Sequence, residues 1–383
     1  MRQTLYNIAA TIWPHHQHKS VQLAQFDLAP DGKQDFLRCF LRIMRRFHVY
    51  GGAFALFDRH GIYAHAIYGD AHRGIPVTED TFFRVASVSK MITAAAVLKM
   101  NEQGVVDIDE DVSDLLPVAV KTGLPITLRT LMSHRAGFCD GESYLSLVGT
   151  GADLAKLLNQ DNIRSDYKEN EWEYSNFGAG LIASVLEKKT GTSFECLMQQ
   201  YLFEPLEITA SFYPQHIKGD LADAYYVLPP KRAPAFDAVQ RKIKDDAGWD
   251  KADPLHHYSM AQGNCCIDMT GATLIGQSLM TPGFLTQNTL EDMRKPLGSF
   301  GRRDWRLRQG MGLFVLDDPS VASCTLYGHQ GLAYGAVHGI FFDPERQNGM
   351  VFLSSGASLK RSGVMTGVNL ELMRMWQHWQ KPS

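Results

Sequence analysis

Ser87-Val88-Ser89-Lys90 sets a hydroxyl and an amine three residues apart. On a helix that spacing brings two side chains together on one face. A serine hydroxyl is a weak nucleophile near neutral pH and needs a base in contact. Lysine becomes such a base only when desolvation or a neighbouring cation lowers its pKa. The surrounding segment, RVASVSKMITAAAVLKMNEQG, is rich in Ala and Met and offers that apolar packing, with Gly104 placed to end the helix. A helix starting at Ser87 also directs its positive dipole end to where charge develops on an attacked carbonyl. The competing reading is a helix-capping serine beside a lysine whose head reaches water.

Taken alone the motif is weak, since about one Ser-x-x-Lys arises by chance in a chain of this composition. A second copy, Ser165-Asp166-Tyr167-Lys168, lies in the charged stretch DNIRSDYKENEWE, where its lysine is expected to stay solvated and protonated. Two further groups add weight to the first copy. Tyr174-Ser175-Asn176 precedes a helical pattern, and in an extended turn Tyr174 and Asn176 point the same way. A phenol can pass a proton between nucleophile and leaving group, and an amide can orient a substrate or hold Lys90. Gly328-His329-Gln330-Gly331 closes a strand-like run. Its glycines would let a substrate backbone approach a strand edge, and His329 could donate to a carbonyl or carboxylate.

The elements that must position these groups can be read from periodicity. Apolar residues at helical spacing predict a helix over 32–48, followed by a hairpin from GGAFALFDR and GIYAHAIYG with its turn at His60-Gly61. Residues 105–295 are dominated by helical patterns, the clearest being FGAGLIASVLEKKTG. A Pro-rich excursion, VLPPKRAPAFDAVQRKIKDDAGWDKADP, interrupts them and suits a surface loop or lid. Beyond Gly310, strand patterns return in MGLFVLDD, SCTLYGH, AVHGIFFD and GMVFLSS, and a last amphipathic helix covers about 364–379. The expected class is therefore α+β. An antiparallel sheet built from both chain ends, residues 1–104 and 296–383, is flanked by helices. Residues 105–295, including a surface loop region at 213–260, form an inserted helical lobe, with a cleft where the two meet.

Together the three motifs resemble the serine β-lactamase and penicillin-binding-protein superfamily, in its class C β-lactamase, DD-peptidase and family VIII esterase branch. The likeness extends along TFFRVASVSKMITAAAVLKMNEQGVVDIDEDVSDLLP, ITLRTLMSHRAGF, EYSNFGAGLIASVLEKKTG, GMGLF and GHQGLAYGAVHGIFFDPE, from about residue 52 to the C-terminus. The resemblance implies Ser87 as nucleophile, Lys90 and Tyr174 as the proton-transfer pair, and Asn176 as the group that positions substrate and Lys90. It implies an oxyanion hole from the backbone N–H groups of Ser87 and Leu332. His329, Gln330 and Gly331 form the substrate-binding triplet. His329 stands where such β-lactamases usually carry lysine, and Gln330 replaces a hydroxyl residue that helps bind a substrate carboxylate. Both departures point away from efficient lactam hydrolysis and toward an esterase, D-amino-acid amidase or peptidase. A class C-type β-lactamase and a penicillin-recognising sensor or scaffold without turnover stand as alternatives. Arg302, Arg303, Arg306 and Arg308 would supply an anion site only if they faced the cleft.

Bulk properties exclude other classes. With 38 basic and 41 acidic residues among 383, the chain has no field to collect nucleic acid. The expected partners are small ester, amide or peptide substrates. Six scattered cysteines lack metal-site spacing and read as reduced thiols, and no metal or organic cofactor is expected. His15, His16 and His18 read as a solvated tract, and the resemblance implies a structural part for His134 in LMSHRAG. No apolar run approaches the ~18 residues of a membrane span. With no evident signal peptide the expectation is a cytoplasmic protein, with a periplasmic or extracellular one, or a weak amphipathic anchor at the start, as alternatives. Oligomeric state is unreadable.

Overall fold

Phe36, Phe40, Ile43 and Met44 recur at helical spacing, and all four are buried on one face of a helix over Lys33–Arg46. The computed structural model describes residues 2–12, 21–28, 30–120, 122–168, 171–228, 234–236 and 248–380. Its elements begin with α1 (Arg2–Ile12), β1 (Val21–Phe26) and that helix, α2. The hairpin β2 (Gly51–Asp58) and β3 (Gly61–His72) follows, then β4 (Phe83–Arg84) and α3 (Val88–Glu102). Within 105–295 lie α4 (Leu128–Met132), α5 (Glu142–Leu147), α6 (Asn176–Thr190), α7 (Phe194–Met198), β5 (Ala210–Ser211), α8 (Met260–Gly263), β6 (Cys266–Ile267), α9 (Met269–Met280) and α10 (Gln287–Arg294). The chain closes with β7 (Gly298–Ser299), β8 (Leu307–Gln309), β9 (Phe314–Leu316), β10 (Leu326–Ala333), β11 (Ala336–Asp343), β12 (Asn348–Gly356) and α11 (Gly367–His378).

Strands from both chain ends form one antiparallel sheet in the order β1-β3-β2-β12-β11-β10-β9-β8-β7, as the class α+β requires. Alternation along the central strands divides two cores. Phe54, Leu56, Phe341 and Phe352 face α2 and α11. Ala53, Ala55, Phe57, Ile340, Phe342 and Val351 face the layer containing α3 and α9. Burial on both faces explains why GGAFALFD reads as a near-continuous apolar run.

Three features differ from the sequence reading. β1 adds an edge strand, Val21 pairing with Tyr68 and Phe26 with Ala64, in a segment the motifs do not reach. Residues 105–295 are not wholly helical: β6 pairs with both β4 and β5, Ile267 opposing Phe83 on one side and Ala210 on the other. Two-residue strands from three distant segments leave no period-2 signal. Finally, α9 lies on the main sheet and not among the other helices. Its Gly276 sits where a Cβ would come 2.5 Å from Phe57 Cζ, and Gln277 Nε2 donates to Asp58 O at 2.6 Å.

Of the Pro-rich excursion, Pro234–Phe236 pairs with Ala224–Tyr225. Residues 229–233 and 237–247 lie outside the described residues, as do His15, His16 and His18. Among the described residues no helix is long and apolar enough to cross a membrane. All six cysteines are free thiols.

α6 is held against α8 by a close main-chain approach. A Cβ on Gly180 would lie 2.1 Å from Tyr258 O, just before α8. Gly180→Ala gains at most ~1 kcal/mol of helix propensity, whereas overpacking costs about 1–3 kcal/mol. Its urea midpoint is therefore expected below that of the wild type, and an unchanged or raised midpoint would contradict this packing.

Candidate functional site

The turn before α3 is strained. Ala86, a buried residue, has φ +49°, a region L-residues rarely occupy, and it delivers Ser87 to the start of the helix. Ser87 makes no side-chain capping bond. Its Oγ instead accepts from Lys90 Nζ at 3.1 Å, and Lys90 is only 4% exposed. That geometry is not that of a capping serine with a solvated lysine. Ser165 and Lys168, by contrast, are both exposed.

Lys90 Nζ has two further partners, Asn176 Oδ1 at 2.9 Å and the main-chain O of Gln262 at 2.6 Å. Both can only accept. In a neutral amine the two N–H bonds go to these oxygens, and the lone pair is left facing the Ser87 hydroxyl. Burial brings the Lys90 pKa down to about 7; the negative charge of Asp140 opposes that shift and the Arg84 cation adds to it.

Tyr174 lies over the same amine, with Nζ 5.2 Å from its ring centroid and its phenol within hydrogen-bond reach of Ser87. Burial holds the phenol well above its ordinary pKa, so it keeps its proton across the physiological range. The His134 ring supports it at 4.3 Å, while His134 Nδ1 accepts from Ser175 N at 3.2 Å. That is the structural part expected of His134. Ser175 caps α6 by accepting from Gly178 N, so Asn176 opens the helix facing Lys90.

The third motif needs correction in three respects. His329 does approach the site, its ring 6.4 Å from Tyr174 and stacked on Phe314 at 4.1 Å. Its Nδ1 meets Gln330 O at 2.6 Å, and a carbonyl only accepts, so Nδ1 carries the proton and Nε2 is an acceptor. Burial, with Lys90 nearby, takes its pKa to about 3. It is therefore a neutral ring whose donor is already used, and not a donor to a substrate carboxylate. The Gln330 side chain turns away: Nε2 donates to Val364 O at 2.9 Å, and Oε1 accepts from Thr366 N at 3.0 Å. At Gly331 the backbone that approaches is the chain's own, because a Cβ there would lie 2.1 Å from Val85 O. The missing side chain brings β10, and with it Leu332, up to the turn that carries Ser87.

Two residues of the site carried no motif. Asp140 accepts from Ser175 Oγ (3.1 Å), Asn176 Nδ2 (2.8 Å) and Phe177 N (2.9 Å). Gln262 acts through its main-chain oxygen, which any residue type would supply, while its Oε1 accepts from Tyr144 OH. Arg302 and Arg303 are exposed and line a separate groove of about 590 Å³ with Trp305 and Gly363. Arg306 is taken up by Asp304 and Asp318, and Arg308 pairs with Asp317.

An antiparallel sheet facing a helical layer, with a serine and a buried lysine at their junction, defines the penicillin-recognising class of serine hydrolases. The chain belongs to the beta-lactamase family, whose family model matches residues 36–371. Esterase EstB of Burkholderia gladioli is 26% identical over 352 residues, 82% of this chain and 88% of that protein. Penicillin-binding protein 4* of Bacillus subtilis (strain 168) is 25% identical over 173 residues, covering 43% of this chain and only 38% of that protein. Among solved structures, EstCE1, described as a hydrolase with promiscuous acyltransferase activity, shares the fold at a TM-score of 0.71. It is 22% identical, with 91% of this chain and 100% of that one covered. The D-amino acid amidase from Ochrobactrum anthropi SV3 has a TM-score of 0.67 and 22% identity, with 89% and 97% covered.

The buried amine leaves a signature in stability. An unfolded lysine titrates near ~10.4, and Lys90 in the folded chain near 7. Between those values the unfolded state holds the extra proton, so stability rises with pH, and below pH 7 the full penalty of burial is present. Lys90→Met removes this titration. Its unfolding free energy relative to wild type should be highest at pH 6 and fall steadily toward pH 10. A difference that stays flat over that range would mean that Lys90 titrates normally.

Proposed function

We propose that the protein is an acyl-serine hydrolase acting on esters with uncharged acyl groups, with Ser87 as nucleophile, Lys90 as its base and Tyr174 as proton carrier to the leaving group. The observation that carries this reading is the set of three contacts on Lys90 Nζ, which turns the lone pair of a low-pKa amine toward Ser87 Oγ. Lys90 takes the hydroxyl proton as Ser87 Oγ bonds to the acyl carbon. The oxyanion is received by the backbone N–H groups of Ser87 and Leu332, which the close approach at Gly331 draws together. As the C–O bond to the leaving group breaks, its oxygen takes the Tyr174 proton, and the proton on Lys90 restores the phenol. Water then attacks the acyl-enzyme with the same groups in reverse roles, releasing the acid and restoring Ser87.

The acyl preference follows from the third motif. Neutral His329 presents an acceptor nitrogen, and Gln330 is turned away, so neither offers a charge or donor to a substrate carboxylate. The name of esterase EstB supports the ester reading, and that of EstCE1 supports hydrolysis with acyl transfer. That of the D-amino acid amidase keeps amides within the same chemistry.

A fluorophosphonate probe should add one label to the native protein and none to Ser87→Ala; equal labelling of both would reject Ser87 as nucleophile. With p-nitrophenyl butyrate, kcat/KM is expected to rise between pH 6 and 8 with a midpoint near 7, as Lys90 loses its proton. A carboxylate-bearing ester such as p-nitrophenyl hemisuccinate should be at least about tenfold poorer, because its charge would be desolvated without a partner. Equal or better use of the hemisuccinate would overturn the acyl preference.

A further inference from the structure

Six residues after His134 the chain brings Asp140 beneath the first turn of α6, where all three of its hydrogen-bond partners donate to it. Oδ1 takes Ser175 Oγ and Phe177 N, the contacts of an ordinary helix-start carboxylate. Oδ2 does something else: it takes Asn176 Nδ2 at 2.8 Å, on the side chain whose Oδ1 receives Lys90 Nζ at 2.9 Å. The two ends of a carboxamide have nearly the same size, so shape alone does not decide which end faces the lysine.

We propose that Asp140 is a positioning residue for the Ser87–Lys90 pair, holding the Asn176 amide in the one orientation that leaves the lysine lone pair to the serine. The proposal rests on the reading of Lys90 as the base for Ser87. A carboxylate can only accept, so it fixes the NH2 end of Asn176 on itself and the carbonyl end on Lys90. In the flipped amide an N–H would point at Nζ. Toward a neutral amine that N–H would donate into the lone pair that must receive the Ser87 proton. Toward an ammonium it would set donor against donor.

Asp140 also supplies charge. The other ionisable groups around Lys90 are Arg84 on β4, Tyr174 and His134 from the segments before α6, and His329 on β10. Burial sets the low pKa of the amine, keeps Tyr174 protonated and both histidines neutral, and so leaves Asp140 and Arg84 as the opposing charges that act on Lys90. Replacing Asp140 with a neutral residue therefore has two separable effects. The base is diverted from Ser87, which lowers the maximal rate, and its pKa falls, which carries the acid limb to lower pH. A carboxylate that served only to cap α6 would still lend its charge to the amine, but its loss would leave the maximal rate unchanged.

The test is Asp140→Asn, which keeps the shape and can retain an oxygen toward Ser175 and Phe177. Its NH2 then opposes Asn176 Nδ2 and drives that amide to flip. With p-nitrophenyl butyrate, kcat should fall by about a hundredfold or more, KM should stay within about threefold, and the pH midpoint should lie below the wild-type value. In an Asn176→Ala background, where there is no amide to orient, the same change should cost no more than about threefold. Full additivity of the two changes, an unaltered pH midpoint, or wild-type kcat in Asp140→Asn would each overturn the proposal. Should Asp140→Asn fail to fold, Asp140→Ser, which keeps an acceptor without the charge, is judged by the same midpoint and the same double variant. Fluorophosphonate labelling of wild type against Ser87→Ala is run alongside. If that control fails, it is the Ser87 reading that falls; if it holds, a negative result counts against the role of Asp140 alone.

Discussion

A primary amine is expensive to bury, and Lys90 is buried with Asn176 Oδ1 and Gln262 O for its two hydrogens and the Ser87 hydroxyl for its lone pair. The rest of the site depends on that arrangement. Ser87 comes from the turn before α3, Asn176 from the first residue of α6, and the Gln262 carbonyl from α8. Move any one of these and either the amine loses an acceptor or its lone pair loses the serine. The close seats of glycine follow from the same demand. Gly180 lets α6 meet the chain entering α8, and Gly331 lets β10 meet the turn before Ser87.

The strain at Ala86 belongs to this account. A positive φ at a buried alanine costs of order 1–3 kcal/mol and survives only where its surroundings enforce it. Here β10 presses on Val85 and Ala86 from one side, while Cys265 O accepts from Val85 N on the other. The two constraints set the direction from which Ser87 enters α3, and hence where its hydroxyl meets the lysine.

Much of this was legible in the sequence. The spacing of Ser87 and Lys90, the Ala-rich helix around them, Tyr174 and Asn176 ahead of an obvious helix, and the hairpin of GGAFALFDR and GIYAHAIYG, whose turn falls one residue earlier than expected, at Arg59-His60, are patterns among neighbouring residues. Other features were hidden for identifiable reasons. Asp140 reaches Asn176 across 36 residues, with no spacing rule to link them. Gln262 contributes a main-chain oxygen, which leaves no trace in residue type. β6 is two residues long and finds its partners through contacts distant in sequence. The third motif showed which residues were present but not what they did: the proton on His329 is placed by a carbonyl one residue away, and Gln330 is claimed by Val364 and Thr366.

By itself, then, the sequence determined the family, the antiparallel sheet built from both chain ends, and the residue types able to perform acyl transfer, because helical and strand periodicities and short motifs are properties of neighbouring residues. Only the tertiary structure decided which serine–lysine pair is desolvated, which face of Asn176 meets the amine, and whether His329 is a cation or a neutral acceptor. Those outcomes depend on burial and on hydrogen-bond partners brought in from distant segments. A side chain's charge and donor pattern are set by what surrounds it in space, and no local run of residues contains that information.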